Sequence, residues 1–101
     1  MKQYTTPEQT AKLIELGFEK PKNEVKAEQA GDYMWCNSAY SIGELFEMLP
    51  DYVSIWDTHH PDTMERQWFV SHLWSQNNIV KSELIDAMFD MIIKLKEEGV
   101  I

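Results

Sequence analysis

The stretch SELIDAMFDMIIKLKEEG, Ser82 to Gly99, decides how the rest of the chain is read. Ser82 is placed as an N-cap, because its hydroxyl can accept from an amide that the first helical turn leaves unpaired. Glu83 and Asp86 set negative charge at the positive end of the helix dipole, and Lys94 and Lys96 set positive charge near the other end. Gly99 suits the left-handed closing residue, and Asp90 precedes Lys94 at the favourable i,i+4 spacing. The apolar residues Leu84, Ile85, Met88, Phe89, Met91, Ile92, Ile93 and Leu95 spread over well over half of the helix circumference. A surface helix buries a stripe of roughly 100° or somewhat more. This helix therefore needs cover on more than one side: a sheet on one flank, and a second helix or a second copy of the chain on the other.

Before it, residues 52–57 (YVSIWD) and 66–74 (RQWFVSHLW) are rich in β-branched and aromatic types and read as a hairpin across the turn-rich THHPDTME. Alternate strand residues face opposite sides. Both parity sets contain large apolar groups, so periodicity leaves the choice of face open. The expectation adopted turns Val53, Ile55, Phe69 and Leu73 toward the helices and leaves Tyr52, Trp56, Trp68 and Trp74 together on the other face. Residues 75–81 read as a polar loop into the last helix.

Further toward the N-terminus, Ser41 and Glu44 form a capping box, Ile42, Leu45, Phe46 and Leu49 follow helical spacing, and Pro50 stops the helix. This short helix is the natural cover for the second flank of the terminal one. Thr6 and Gln9 form another box with Pro7 at the first helical position, Ala11, Leu13 and Ile14 on the apolar side, and Gly17 then Phe18 at the end. Residues 1–5 read as an extended lead-in, residues 19–32 as an exposed polar connection, and Tyr33 to Cys36 as a short strand. The 101 residues are expected to form one domain. Its class is α+β: a small antiparallel sheet, hairpin plus short strand, with helices packed mainly on one face.

Charge and composition narrow the function. The net charge of −8 with a single arginine, Arg66, argues against binding nucleic acid through clustered phosphate contacts, and favours a basic partner. Cys36 is the only cysteine, which excludes an internal disulfide and a cysteine zinc site. Its neighbours Met34 and Trp35 suit an inert buried thiol. There is no apolar run of membrane-spanning length and no signal-peptide pattern, so the expected setting is cytoplasmic with no membrane partner.

Few residues suggest chemistry. Asp57, His59, His60 and Asp62 have metal-ligand side chains, but their spacing matches no site and adjacent residues of an extended segment point apart. They read as a solvated hairpin loop, which His72 joins only if the hairpin register brings it there. A metal-dependent enzyme built on these residues is the alternative function. Glu44 and Glu47 lie one turn apart, but a capping role and a solvated face account for them better than acid–base catalysis. No phosphate loop or nucleophile elbow is present, so no catalytic residue, metal or cofactor is assigned. The aromatic set Tyr52, Trp56, Trp68 and Trp74 is the candidate interaction surface, since Trp and Tyr dominate binding hot spots. Its competing reading is core covered by the N-terminal half.

Three segments carry a resemblance: TPEQTAKLIELGFEKPK at 6–22, YSIGELFEMLP at 40–50 and SELIDAMFDMIIKLKEEGVI at 82–101. Together they resemble small uncharacterised proteins of gut Bacteroidales associated with prophages or other mobile elements. The resemblance implies the same order of elements and a phage-like context, and it brings no catalytic motif or ligand. The expected function is a non-enzymatic interaction or accessory protein acting through a protein partner or self-association. An acidic mimic of nucleic acid ranks behind it, because the charges are spread along the chain rather than blocked.

Overall fold

The computed structural model describes residues 3–26 and 36–101. Their elements run α1 (Pro7–Glu15), β1 (Asn23–Lys26), β2 (Cys36–Ala39), α2 (Ile42–Met48), β3 (Val53–His59), β4 (Arg66–His72), β5 (Asn77–Lys81) and α3 (Leu84–Glu97). The class is α+β. β1 and β2 form an antiparallel ribbon, and β3, β4 and β5 form a three-stranded antiparallel sheet in sequence order. Helix α3 packs against β4 and β5 on one face of that sheet, and α2 packs against α3.

The helix ends form as their local chemistry dictates. Thr6 Oγ1 accepts from Gln9 N–H at 3.1 Å, and Gln9 Oε1 accepts from Thr6 N–H at 3.0 Å. Ser41 and Glu44 repeat the arrangement at 3.2 and 3.1 Å. α1 and α3 close in the same way. Gly17 and Gly99 adopt φ of +99° and +76°, which a side chain would strain. The amides of Phe18 and Val100 then reach back to the carbonyls of Leu13 and Leu95. Leu49, held extended by the proline that follows it, ends α2.

The start of α3 departs from expectation. The helix begins at Leu84 with Glu83 at the cap position and no side-chain capping bond, so Ser82 lies one residue outside. The cause is β5. Residues 77–81 are a strand rather than a loop, paired to β4 through Lys81 opposite Trp68. That pairing leaves only Ser82 and Glu83 to turn the chain into the helix. The connection expected over 19–32 is also partly ordered: Asn23–Lys26 is strand β1, Pro21 is buried, and residues 27–32 lie outside the described set. The strand expected at Tyr33–Cys36 falls mostly outside it as well. The described strand starts at Cys36, and the burial of that thiol is likewise outside what is described.

α3 is the hub of the core. Leu84, Ile85, Ala87, Met88, Met91, Ile92 and Leu95 are all buried, joined by Leu13, Tyr40, Leu45 and Val70. Phe89 and Ile93 are half-buried against the same cluster. The wide apolar arc is thus covered by the sheet on one flank and by α2 on the other. On α1, Ala11 is exposed and Thr10 is buried in its place. Polar ties lock the layers: Gln9 Nε2 donates to Asp86 Oδ1 at 2.8 Å between α1 and α3. Lys81 pairs with Asp90 at 3.2 Å between β5 and α3.

Candidate interaction surface

Register decides which aromatic residues meet. In the hairpin, Val53 lies opposite His72, Ile55 opposite Val70, Trp56 opposite Phe69 and Asp57 opposite Trp68. Opposed residues of an antiparallel pair share a face. The inner face therefore carries the rows Asp57–Trp68–Lys81, Ile55–Val70–Ile79 and Val53–His72–Asn77. The outer face carries Ser54–Ser71–Asn78, Trp56–Phe69–Val80 and Thr58–Gln67. Each face has one wholly apolar row flanked by polar ones, which is why alternation alone did not distinguish them.

The expected aromatic face is corrected accordingly. Val53 and Ile55 do turn inward, but Phe69 turns outward, and Leu73 lies beyond the strand and is exposed. Trp68 packs against the core with Arg66 stacked 5.4 Å from its ring. Trp56 stacks on Phe69 on the outer face, centroids 4.4 Å apart and 13° between planes. Tyr52 and Trp74 pair edge to face at 5.5 Å at the open end of the hairpin. The four candidates thus occupy three places. Loop parity is the physical reason. Trp56 and Trp68 are both even-numbered, and the six-residue loop 60–65 opposes even with odd.

What the structure assembles instead is an aromatic ledge. Tyr52 (61% exposed) and Trp74 (72%) project at the junction of α2 with β3 and at the β4–β5 turn. Phe46 (59%) stands on α2 across a cleft from Tyr52. A cleft of about 230 Å³ is lined by Phe46, Tyr52, Leu49, Pro50, Val53 and Asp51. By its spacing Phe46 belongs to the apolar stripe of α2, yet it is exposed. With only two turns in α2, Leu45 takes the contact with α3 and Phe46 is rotated out.

Tyr52 adopts φ +68°. A non-glycine residue there costs about 1–2 kcal/mol. Its carbonyl accepts from Leu73 N–H at 3.0 Å, which closes the hairpin end. Tyr52→Gly relieves that strain and loses the edge contact with Trp74, which is worth about 0.5–1.5 kcal/mol. The expected result is a chemical-denaturation midpoint close to wild type. A large loss of stability would show that the tyrosine ring serves folding.

The histidines do not form a site. His60 Nδ1 accepts from the amides of Asp62 and Thr63 at 3.1 and 3.3 Å and orders the loop. Asp57 Oδ2 accepts from Arg66 Nε and Nη2 at 3.1 and 2.8 Å. His72 lies at the other end of the sheet, about 20 Å along the strand at 3.3 Å per residue, so the register keeps it away from the loop. It is buried, and its Nδ1 accepts from Ser75 N–H at 3.2 Å and from Ser75 Oγ at 2.7 Å. Asn77 Nδ2 donates to Ser75 Oγ at 2.8 Å and to the Glu98 carboxylate at 3.0 and 3.1 Å. This network pins the tight β4–β5 turn, where Gln76 is left-handed, to the end of α3. Among the described residues no group of three or more acidic, histidine or cysteine side chains is placed to hold a metal.

A second cleft, about 470 Å³, is lined by Phe18, Lys20, Lys22, Tyr40, Glu44 and Met48, among others. Tyr40 is buried and donates from its hydroxyl to the Glu19 carbonyl. Burial, then the nearby Glu44 carboxylate, pushes its phenol above the ordinary value. Glu44 is engaged in its capping box, and Glu47 is exposed. Ser41 also lines the cleft, with its Oγ 3.4 Å from Glu44 Oε1, and both side chains are held in the capping box that starts α2.

No protein-family model, curated protein or solved structure matches the chain. Among the described residues no helix is long and apolar enough to cross a membrane.

Proposed function

We propose that this chain is a non-enzymatic interaction protein that holds a basic segment of a protein partner on the Phe46–Tyr52–Trp74 ledge. The observation that carries this reading is the exposed aromatic pair Tyr52–Trp74, kept on a residue whose left-handed backbone disfavours any side chain. Hot spots are enriched in such residues. Asp51 lines the adjoining cleft and the exposed Glu47 follows Phe46 on α2. An Arg or Lys of the partner would lay its stem along the apolar walls, reach the carboxylates, and find ring faces for cation–π contact. The net charge of −8 adds long-range attraction for such a partner. The resemblance of the three segments to mobile-element proteins suggests an accessory role in a phage-like, cytoplasmic setting.

The test places a photo-crosslinking phenylalanine analogue at Phe46 in the native host. Adducts to a basic protein are expected, weakened by salt and abolished by Trp74→Ser. The same analogue at the exposed Lys12 on α1 serves as control. Absence of adducts at position 46, or identical adducts at both positions, would overturn the proposal.

A further inference from the structure

Among the described residues, β3 is an edge strand of the three-stranded sheet, with no strand on its outer side. The hairpin bonds from His60 N–H to the Glu65 carbonyl and from Leu73 N–H to the Tyr52 carbonyl set the phase of the β3–β4 ladder. Even-numbered residues of β3 point their backbone groups at β4. The N–H and C=O groups of Val53, Ile55, Asp57 and His59 therefore point outward, and no hydrogen bond engages them among the described residues. Proteins usually protect such an edge with lysine, proline, a bulge or brevity. β3 has no lysine or proline, pairs without interruption over seven residues, and carries one charged side chain, Asp57, which is neutralised by Arg66. The other edge, β5, is shorter and ends in Lys81.

We infer that β3 pairs antiparallel with β3 of a second copy of this chain, about a two-fold axis through Trp56. Outward groups sit on odd-numbered residues, so odd must meet odd. One symmetric register overlaps the whole strand: Val53 faces His59, Ser54 faces Thr58, Ile55 faces Asp57, and Trp56 faces Trp56. That register supplies roughly eight backbone hydrogen bonds, two for each of the four outward-facing pairs. It sets no like charges directly opposite, whereas centring on Asp57 would oppose two carboxylates. It also continues the outer apolar row. Val80, Phe69 and Trp56 of one copy run into Trp56, Phe69 and Val80 of the other across six strands, covering the 45% of Trp56 that is exposed. A strand edge about 23 Å long at 3.3 Å per residue buries less than the standard interface of about 1,600 Å², so the dimer is weak and concentration-dependent. This surface adjoins the ledge at Val53, which lines the cleft with its side chain and the strand edge with its backbone, and the ledge variants at Phe46 and Trp74 lie outside β3.

Sedimentation velocity over a concentration series tests it. The wild-type chain is expected to shift from monomer to dimer as concentration rises. Trp56→Lys and Trp56→Glu, both on the solvent face, are each expected to stay monomeric, and their equimolar mixture to recover the dimer. Asp57→Pro removes one outward N–H while leaving the β3–β4 ladder intact, and is expected to abolish the dimer. A wild-type chain that stays monomeric throughout overturns the inference. So does a dimer that survives both Trp56→Lys and Asp57→Pro, or a charge-paired mixture that remains monomeric.

Discussion

Leu45→Ala is expected to lower the unfolding free energy by about 2–5 kcal/mol, whereas Phe46→Ala, one position away, changes it by less than about 0.5 kcal/mol. Leu45 is fully buried where α2 meets α3, at the flank of the terminal helix that the sheet leaves open. Truncation there removes apolar contact and leaves a cavity that a two-turn helix stapled at its start by a capping box is poorly placed to collapse. The loss would be a large share of the roughly 5–15 kcal/mol that stabilises a domain of this size. Phe46 projects into solvent beside Tyr52, so its removal touches only the ledge. Urea unfolding of the two variants provides the comparison. Equal destabilisation would mean that Phe46 is packed and that the ledge does not exist as described.

Thr5→Val is the second large effect, about 1–3 kcal/mol. Thr5 is completely buried, and its Oγ1 accepts from the Tyr40 amide at 3.0 Å. It also donates to Thr10 Oγ1 at 2.7 Å, because the Thr10 hydroxyl hydrogen is engaged with the Thr6 carbonyl. Valine keeps the shape but strips a buried N–H of its acceptor. Thr5→Ser retains the hydroxyl and is expected to cost less. The Tyr40 amide reports the difference in hydrogen exchange, becoming less protected in the valine variant than in the serine one. Equal protection in the two would show that the hydroxyl is not the group that counts. In the sequence, Thr5 is simply the end of an extended lead-in. Its burial comes from the backbone bond of Thr5 to the Tyr40 carbonyl and the bridge between Tyr4 and Ser41, which bring together positions more than thirty residues apart.

The same distinction runs through the molecule. Helix termini were legible in the chain because capping acts within a few residues. Thr6 with Gln9, Ser41 with Glu44, and the glycines at 17 and 99 each behave as their local chemistry requires. The hub role of the terminal helix was also legible, since an apolar arc that wide has to be covered from two sides. Strand β5 was not, because Asn77 to Lys81 has only Ile79 and Val80 to mark it, and it is a strand because β4 offers it a partner. The same pairing displaced the start of α3 from Ser82. The candidate surface was half legible. Tyr52 and Trp74 do stand together in solvent, but Trp68 was drawn into the core and Phe46 was pushed out of it.

Interactions that close within one helical turn were therefore set by the order of residues along the chain: where α1 and α2 begin and where all three helices end. Which side of the sheet each aromatic takes was set by pairing across the 60–65 loop, because a shift of one residue in register turns every side chain to the other face. Both faces of this hairpin carry an apolar row, so hydrophobicity alone could not choose between them. Contact with α3 and the parity of the loop made the choice, leaving Trp56 on an open edge and Tyr52 and Trp74 on a ledge.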